Sequence, residues 1–269
     1  MKISLSRKGF DSEFGRHPSP ILPDGRMISL PIPNDKESLS YSNLKLEDNK
    51  TYYDLMKELG ISKKDARCHL DPDIRIDVLK RDDEWAQTLG HIGSSQAHLE
   101  NQGVKEGDVF LFFGWFRKTI YSNGKLLFNP KEKRGIHVIF GYLQIGKKIN
   151  ANLIFKPPKW MKYHPHMIDE RRKIPTNMLY VARKTLSWNS NIPGAGVFKF
   201  DRSLVLTKEG QTRSHWGLPS LFRNAKISYH NASCWKDGYF SSRGRGQEFV
   251  IDDGKVETWA KNLIETNFN

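Results

Sequence analysis

Two cysteines in 269 residues, Cys68 and Cys234, are too few for a disulfide framework, and they match no zinc-ligand spacing. Both are expected to be small buried residues. No apolar run approaches the ~18 residues of a membrane-spanning helix, so no membrane association is expected. The opening "MKISLSRKGF" is too short and too polar for a secretory signal, and the expected location is cytoplasmic. Heptads, tandem repeats and low-complexity tracts are missing. So are a glycine-rich dinucleotide loop, a phosphate-cradling Walker loop and a nucleotide-sugar signature. No cofactor is assigned.

What is present is positive charge. Lysine and arginine number 43 against 30 acidic residues, a net charge of +13. Such an excess suits a polyanionic partner. No basic amphipathic helix with an aromatic face stands out, which favours nucleic acid over a membrane surface. Hydrophobic residues make up 38% of the chain and aromatics 12%, enough for a sizeable core. No linker divides the chain, and residues 1–269 are read as a single domain.

Residues 2–10 read as a strand. "TYYDLMKEL" (51–59) reads as a short helix stopped by Gly60. "CHLDPDI" (68–74) is a strand end or loop, since Pro72 forbids regular continuation. "SSQAHLENQGV" reads as a helix capped by Ser94 or Ser95, with Gly103 in its C-terminal turn. The period then changes to two. "GDVFLFFGWFRKTIY" and "GIHVIFGYLQIG" are aromatic, β-branched strands, and "KLLFNPKEKRG" between them holds a shorter strand and a loop. Further strands are expected at 178–183, 196–200, 203–207 and 248–252, and a late helix at 256–265. The pattern is α+β: a central antiparallel sheet, with closure into a barrel left open, a few flanking helices and long ordered loops.

Several groups of residues carry candidate chemistry. Arg7, Lys8 and Asp11 follow the first strand and precede a loop stiffened by Pro18, Pro20, Pro23, Pro31 and Pro33. Cations there can hold phosphate, and a carboxylate can act as base, nucleophile or partner of a developing cation. The alternative is an ion pair closing a turn. "HLDPD" offers His69, Asp71 and Asp73. From an extended segment, two carboxylates two residues apart can face the same way. "HPH" offers His164 and His166. Neither set is a complete ligand group, so no metal is assigned. Gln96 and His98 can read base edges, or simply cover a sheet. Aromatics alternate with cations around Arg117, Lys118, Lys159, Trp160 and Lys162, the combination that base stacking with phosphate neutralisation requires. Phe110, Phe112, Trp115 and Phe140 lie in strands and are core candidates, whereas Trp160 and Tyr163 are expected at the surface. Arg243 and Arg245, set between glycines, can follow a nucleic-acid backbone closely.

The blocks "SRKGFDS", "PSPILPDGRMISLPIP", "HLDPD", "QAHLENQGV", "GDVFLFFGWFR", "HVIFGYLQIG", "HPH", "PGAGVF" and "RGQEFV" together resemble the third class of nucleotide modification associated domains, found in bacteria and phages. The resemblance runs from Met1 to about Asp252. It implies an activity on modified nucleotides or modified DNA, in neighbourhoods of base hypermodification and phage defence. It brings no catalytic residues with it. Three functions compete. The first is a DNA glycosylase that flips out and excises a modified base of phage DNA, with Asp11, Asp71 or Asp73 as the catalytic carboxylate. In it, Arg7, Lys8, His69, Gln96, His98, Arg117, Trp160 and His166 bind the substrate, and Lys118, Lys159, Lys162, Arg243 and Arg245 track the DNA. The second is a donor-dependent modification enzyme. The third is a non-catalytic reader of modified bases. Chain length and the polar N-terminal block favour an enzyme.

Overall fold

The computed structural model describes residues 1–61, 66–244 and 246–268. The period-two stretches become long strands because each presents large apolar side chains to both sides of a covered sheet. Among the described residues, nine strands form the main sheet: β1 (Ile3–Arg7), β2 (Ser19–Ile21), β3 (Thr88–His91), β4 (Val109–Ser122), β5 (Lys125–Phe128), β6 (Ile136–Asn150), β7 (Met178–Ala182), β8 (Ala195–Val197) and β9 (Glu248–Ile251). Their order is β9-β1-β4-β6-β7-β3. Strands β2 and β5 add to β4, and β8 adds to β6.

The α+β class holds, but the sheet is mixed. Strands β1 and β2 run parallel to β4, while the other pairings are antiparallel. Parallel pairing follows from the long excursion between residues 7 and 109, which lets the chain re-enter in the same direction. The sheet is also open: β9 and β3 end the path and do not pair with each other. Strand β6 serves two neighbours. Register shifts between Ile139 and Gly141 and between Ile145 and Lys147 turn it from β4 towards β7.

Among the described residues, four α-helices flank the sheet: α1 (Tyr52–Glu58), α2 (Gly93–Asn101), α3 (Asp169–Arg172) and α4 (Gly254–Asn267). Thr51 caps α1 in a reciprocal pair with Asp54, and Asp253 caps α4. Helix α2 differs from expectation. It starts at Gly93 with Ile92 at the cap position, so neither Ser94 nor Ser95 caps it. Gly103 closes its other end at φ +64°, a conformation that favours glycine. Residues 203–207 do not form a strand. The Asp201 carboxylate accepts from Ser203 N at 2.8 Å and starts a 3₁₀ turn over Arg202–Leu204, so a local cap overrides the β-branched composition.

The main core joins β1, β4, β6 and β9 to α4, with Ile3, Leu5, Phe110, Phe112, Phe249 and Ile264 fully buried. A second apolar cluster gathers around α1, and a small third one holds Met161, Met167 and Leu179. Both cysteines are buried. Trp115 is half-buried and lies beneath the Arg213 guanidinium, 3.9 Å from its ring centroid. Tyr163 is exposed, and Trp160 is half-buried against the third cluster. Among the described residues, no helix is long and apolar enough to cross a membrane.

Candidate active site

Strand β1 alternates, so Ser4, Ser6 and Lys8 share one face. Ser6 sits opposite Glu248 of β9 in the antiparallel ladder. Its hydroxyl donates to Glu248 Oε1 at 2.8 Å. Lys8 Nζ lies 3.2 Å from the same oxygen, and His91 Nε2, at the end of β3, lies 3.0 Å from it. Lys8 Nζ and His91 Nε2 are 3.3 Å apart. The three groups form a closed buried triangle. Burial alone pushes the Glu248 carboxyl up, but Lys8, His91 and Ser6 outweigh it and hold the group down at about 2.

The proline-rich segment does more than stiffen a loop. It ends in a two-residue ladder in which Ile32 pairs with His69 and Pro33 with Cys68. This ladder carries "HLDPD" to the edge of β3. There the Gly90 N–H donates to Asp71 Oδ1 at 2.8 Å. The 3₁₀ turn Pro165–Met167 brings "HPH" to the same place, with His164 Nε2 lying 3.5 Å from Asp71 Oδ1. That separation is long for a hydrogen bond, and among the described residues His164 Nε2 has no other hydrogen-bond partner. Burial raises the Asp71 carboxyl, but His164 together with the charges of His166 and Lys8 holds it far below the usual carboxylate range.

The two remaining histidines are oriented from behind. His69 Nδ1 donates to Glu37 Oε1 at 2.8 Å, and Arg171 Nη1 holds the same oxygen at 2.7 Å. His166 Nδ1 donates to Asn177 Oδ1 at 2.8 Å. The Asn177 amide is fixed in turn, since its NH₂ donates to the carbonyls of His166 and Arg171. Both rings therefore carry their proton on Nδ1 and keep Nε2 as the free position. Burial holds His166 well below the ordinary histidine value. Donor atoms of His69, Asp71 and His166 all lie within 4.8 Å of one another.

These groups open onto one cavity of about 600 Å³, within the range of small-ligand sites. Of the residues singled out from sequence, Arg7, Lys8, Asp11, His69, Asp71 and His166 line it. Their positions differ in kind. Asp11 is at the rim, where its carboxylate accepts from Glu13 N and Phe14 N at 2.7 and 2.6 Å and closes a turn. Arg7 spends two donors on the carbonyls of Gly244 and Arg243, which ties the rim loop to β1. Arg243 itself is exposed there, and Arg245 lies outside the described residues.

The other candidates are placed elsewhere. Asp73 is buried against Arg81 in a two-bond ion pair, and Trp85 Nε1 donates to it at 3.1 Å. The bend at Pro72 separates it from Asp71. Gln96 is buried between Glu100 and the Tyr180 hydroxyl. His98 bonds Ser228 and stacks on Tyr229. Arg117 bonds the Asn129 carbonyl over the Phe128 ring. Lys118 pairs with Glu132 at 3.5 Å on a separate basic groove of about 910 Å³. Lys159 and Lys162 are exposed around Trp160, on the segment that leads to His166.

Glu248, His91, Glu37, Arg171, Gly90 and Asn177 were not legible as site residues. Glu248 left one signal, a carboxylate at the head of the apolar strand "EFVID". His91 left a similar one in "TLGHIG". Glu37, Arg171 and Asn177 act through other residues and left none.

A model of a known family, described as nucleotide modification associated domain 3, matches residues 2–252. The searches of curated proteins and of solved structures each found no match.

Proposed function

This chain belongs to the nucleotide modification associated domain 3 family, and we propose that it is a DNA glycosylase excising a modified base, with the Lys8–Asp71–His166 cavity as its active site. The observation that carries the reading is Asp71: a buried carboxylate held ionised, at a cavity of about 600 Å³. Breaking an N-glycosidic bond builds positive charge on the sugar. An ionised carboxylate in a water-poor pocket stabilises that charge and orients water at C1′. Water then adds to C1′, the C1′–N bond breaks, and its electron pair leaves on the base nitrogen, which takes up a proton. Lys8 lines the same cavity and supplies a cation for the departing base.

A base inside a duplex cannot reach such a pocket, so the target nucleotide is flipped out. The +13 net charge suits the phosphate backbone. Arg243 at the rim and Lys159 and Lys162 beside Trp160 are the proposed DNA contacts. The proposed substrate is phage DNA carrying a hypermodified pyrimidine.

The test is direct. Purified protein is incubated with unmodified DNA and with DNA bearing hydroxymethylated or glucosylated cytosine. Free bases are followed by mass spectrometry and abasic sites by alkaline cleavage. Release from one modified substrate only is expected. Tight binding without release from any of them refutes the reading.

A further inference from the structure

We infer that His69 Nε2, His166 Nε2 and Asp71 bind a divalent transition-metal ion, of the zinc class, in this cavity. Sequence alone assigns no metal, because its ligands are split between "HLDPD" and "HPH". The fold unites the two halves.

The argument rests on lone pairs. Glu37 and Asn177 hold the ring protons of His69 and His166 on Nδ1. Each Nε2 is then an electron-pair donor. Among the described residues, neither makes a hydrogen bond. Gly90 N–H and His164 meet Asp71 at Oδ1, leaving Oδ2 for a further partner. One ring nitrogen from each histidine and one Asp71 carboxylate oxygen lie within 4.8 Å of one another. A cation between three electron-pair donors held this close would offset their mutual repulsion. A carboxylate behind one ligating histidine and an amide behind the other is the outer support that metal sites use to fix ring orientation. Two imidazoles and one carboxylate suit zinc and its first-row neighbours, and three protein ligands leave a position for water. Nitrogen ligands sit about 2.0–2.1 Å from zinc. Tetrahedral donors then stand roughly 3.4 Å apart, so binding draws these side chains together by up to roughly 1.4 Å.

The ion's role, unlike its binding, rests on the glycosylase reading. Asp71 then acts through the metal, which holds and acidifies the attacking water. That water forms the C1′–O bond, and its displaced proton balances the one gained by the leaving base.

The experiment uses the full chain, stripped with a chelator and titrated with ZnCl₂, with metal content read by plasma mass spectrometry. Co²⁺ serves as a coloured probe, and Mn²⁺ and Fe²⁺ are compared. One equivalent per chain is expected, with a tetrahedral cobalt spectrum. His69→Gln and His166→Gln should each weaken binding at least tenfold. Glu37→Gln, which touches no metal, should weaken it about 10- to 100-fold. If His166→Gln does not fold, the less buried His69→Gln carries the test, with folding checked by near-ultraviolet circular dichroism. Wild-type affinity no higher than that of His69→Gln overturns the site. Metal binding without base release keeps the site and removes the glycosylase. Base release untouched by chelator, with no metal bound, does the reverse.

Discussion

Replacing Gly90 with alanine probes the site without touching any group that reacts. Gly90 lies in β3, paired with Leu179 of β7, and its backbone needs no special φ. A Cβ there would stand 2.2 Å from His166 Cδ2 and 2.3 Å from Cγ. Carbon atoms in contact keep about 3.5 Å, so the ring must retreat by more than about 1 Å. The retreat strains the 2.8 Å bond from His166 Nδ1 to Asn177. Overpacking of this kind costs about 1–3 kcal/mol. In a chain of this size that lowers Tm by roughly 2–4 °C per kcal/mol. Function should suffer more than stability, since a 1 Å misplacement can cost about 100-fold. The assay compares single-turnover base release, zinc affinity and Tm of Gly90→Ala with those of Gly254→Ala. Gly254 opens α4 with no heavy atom near its built Cβ and should be neutral. A Gly90→Ala enzyme that releases base within twofold of wild type would show that the His166 position does not matter.

Asp71→Asn should reduce base release by roughly 10²–10³, whereas Asp11→Asn should stay within about twofold, because an asparagine oxygen can still accept from Glu13 and Phe14. The reverse order in single-turnover rates would move the catalytic carboxylate to the rim. Glu248 makes stability depend on pH. Its folded value, about 2, lies below its ordinary 4.5, so its contribution is complete above pH 4.5 and is lost as pH falls towards 2. The difference amounts to about 3 kcal/mol. Urea midpoints at pH 6 and pH 3 should show about 2 kcal/mol of that loss in wild type, and a smaller one in Glu248→Gln. DNA affinity should fall about 10³-fold or more between 50 and 200 mM salt if six or more phosphates are neutralised. A flat salt response in a fluorescence-anisotropy titration would instead indicate a free nucleotide.

Local signals read well wherever local physics decides. The apolar alternation of 107–121 and 135–146 gives β4 and β6, and Thr51 with Asp54 starts α1. They failed where a distant partner decided. A parallel β1–β4 pairing leaves no mark in either strand, because side chains alternate with period two whichever way the neighbouring strand runs. Asp71 and Asp73 share the spacing of one extended face. The bend at Pro72 sends the first to the cavity and the second to Arg81.

The sequence by itself determined the chemistry on offer. Its charge, its buried strands, and "RK", "HLDPD" and "HPH" supplied cations, carboxylates and imidazoles in short, recognisable runs. Only the tertiary structure decided which of them meet. His69 and His166 are 97 positions apart, and they converge because one two-residue ladder and one 3₁₀ turn dock at the same edge of β3. Lys8 and Glu248 stand at opposite ends of the matched region, and β1–β9 pairing places them 3.2 Å apart. A reactive site needs atoms a few ångströms apart, and sequence spacing sets such distances only within a turn or a strand.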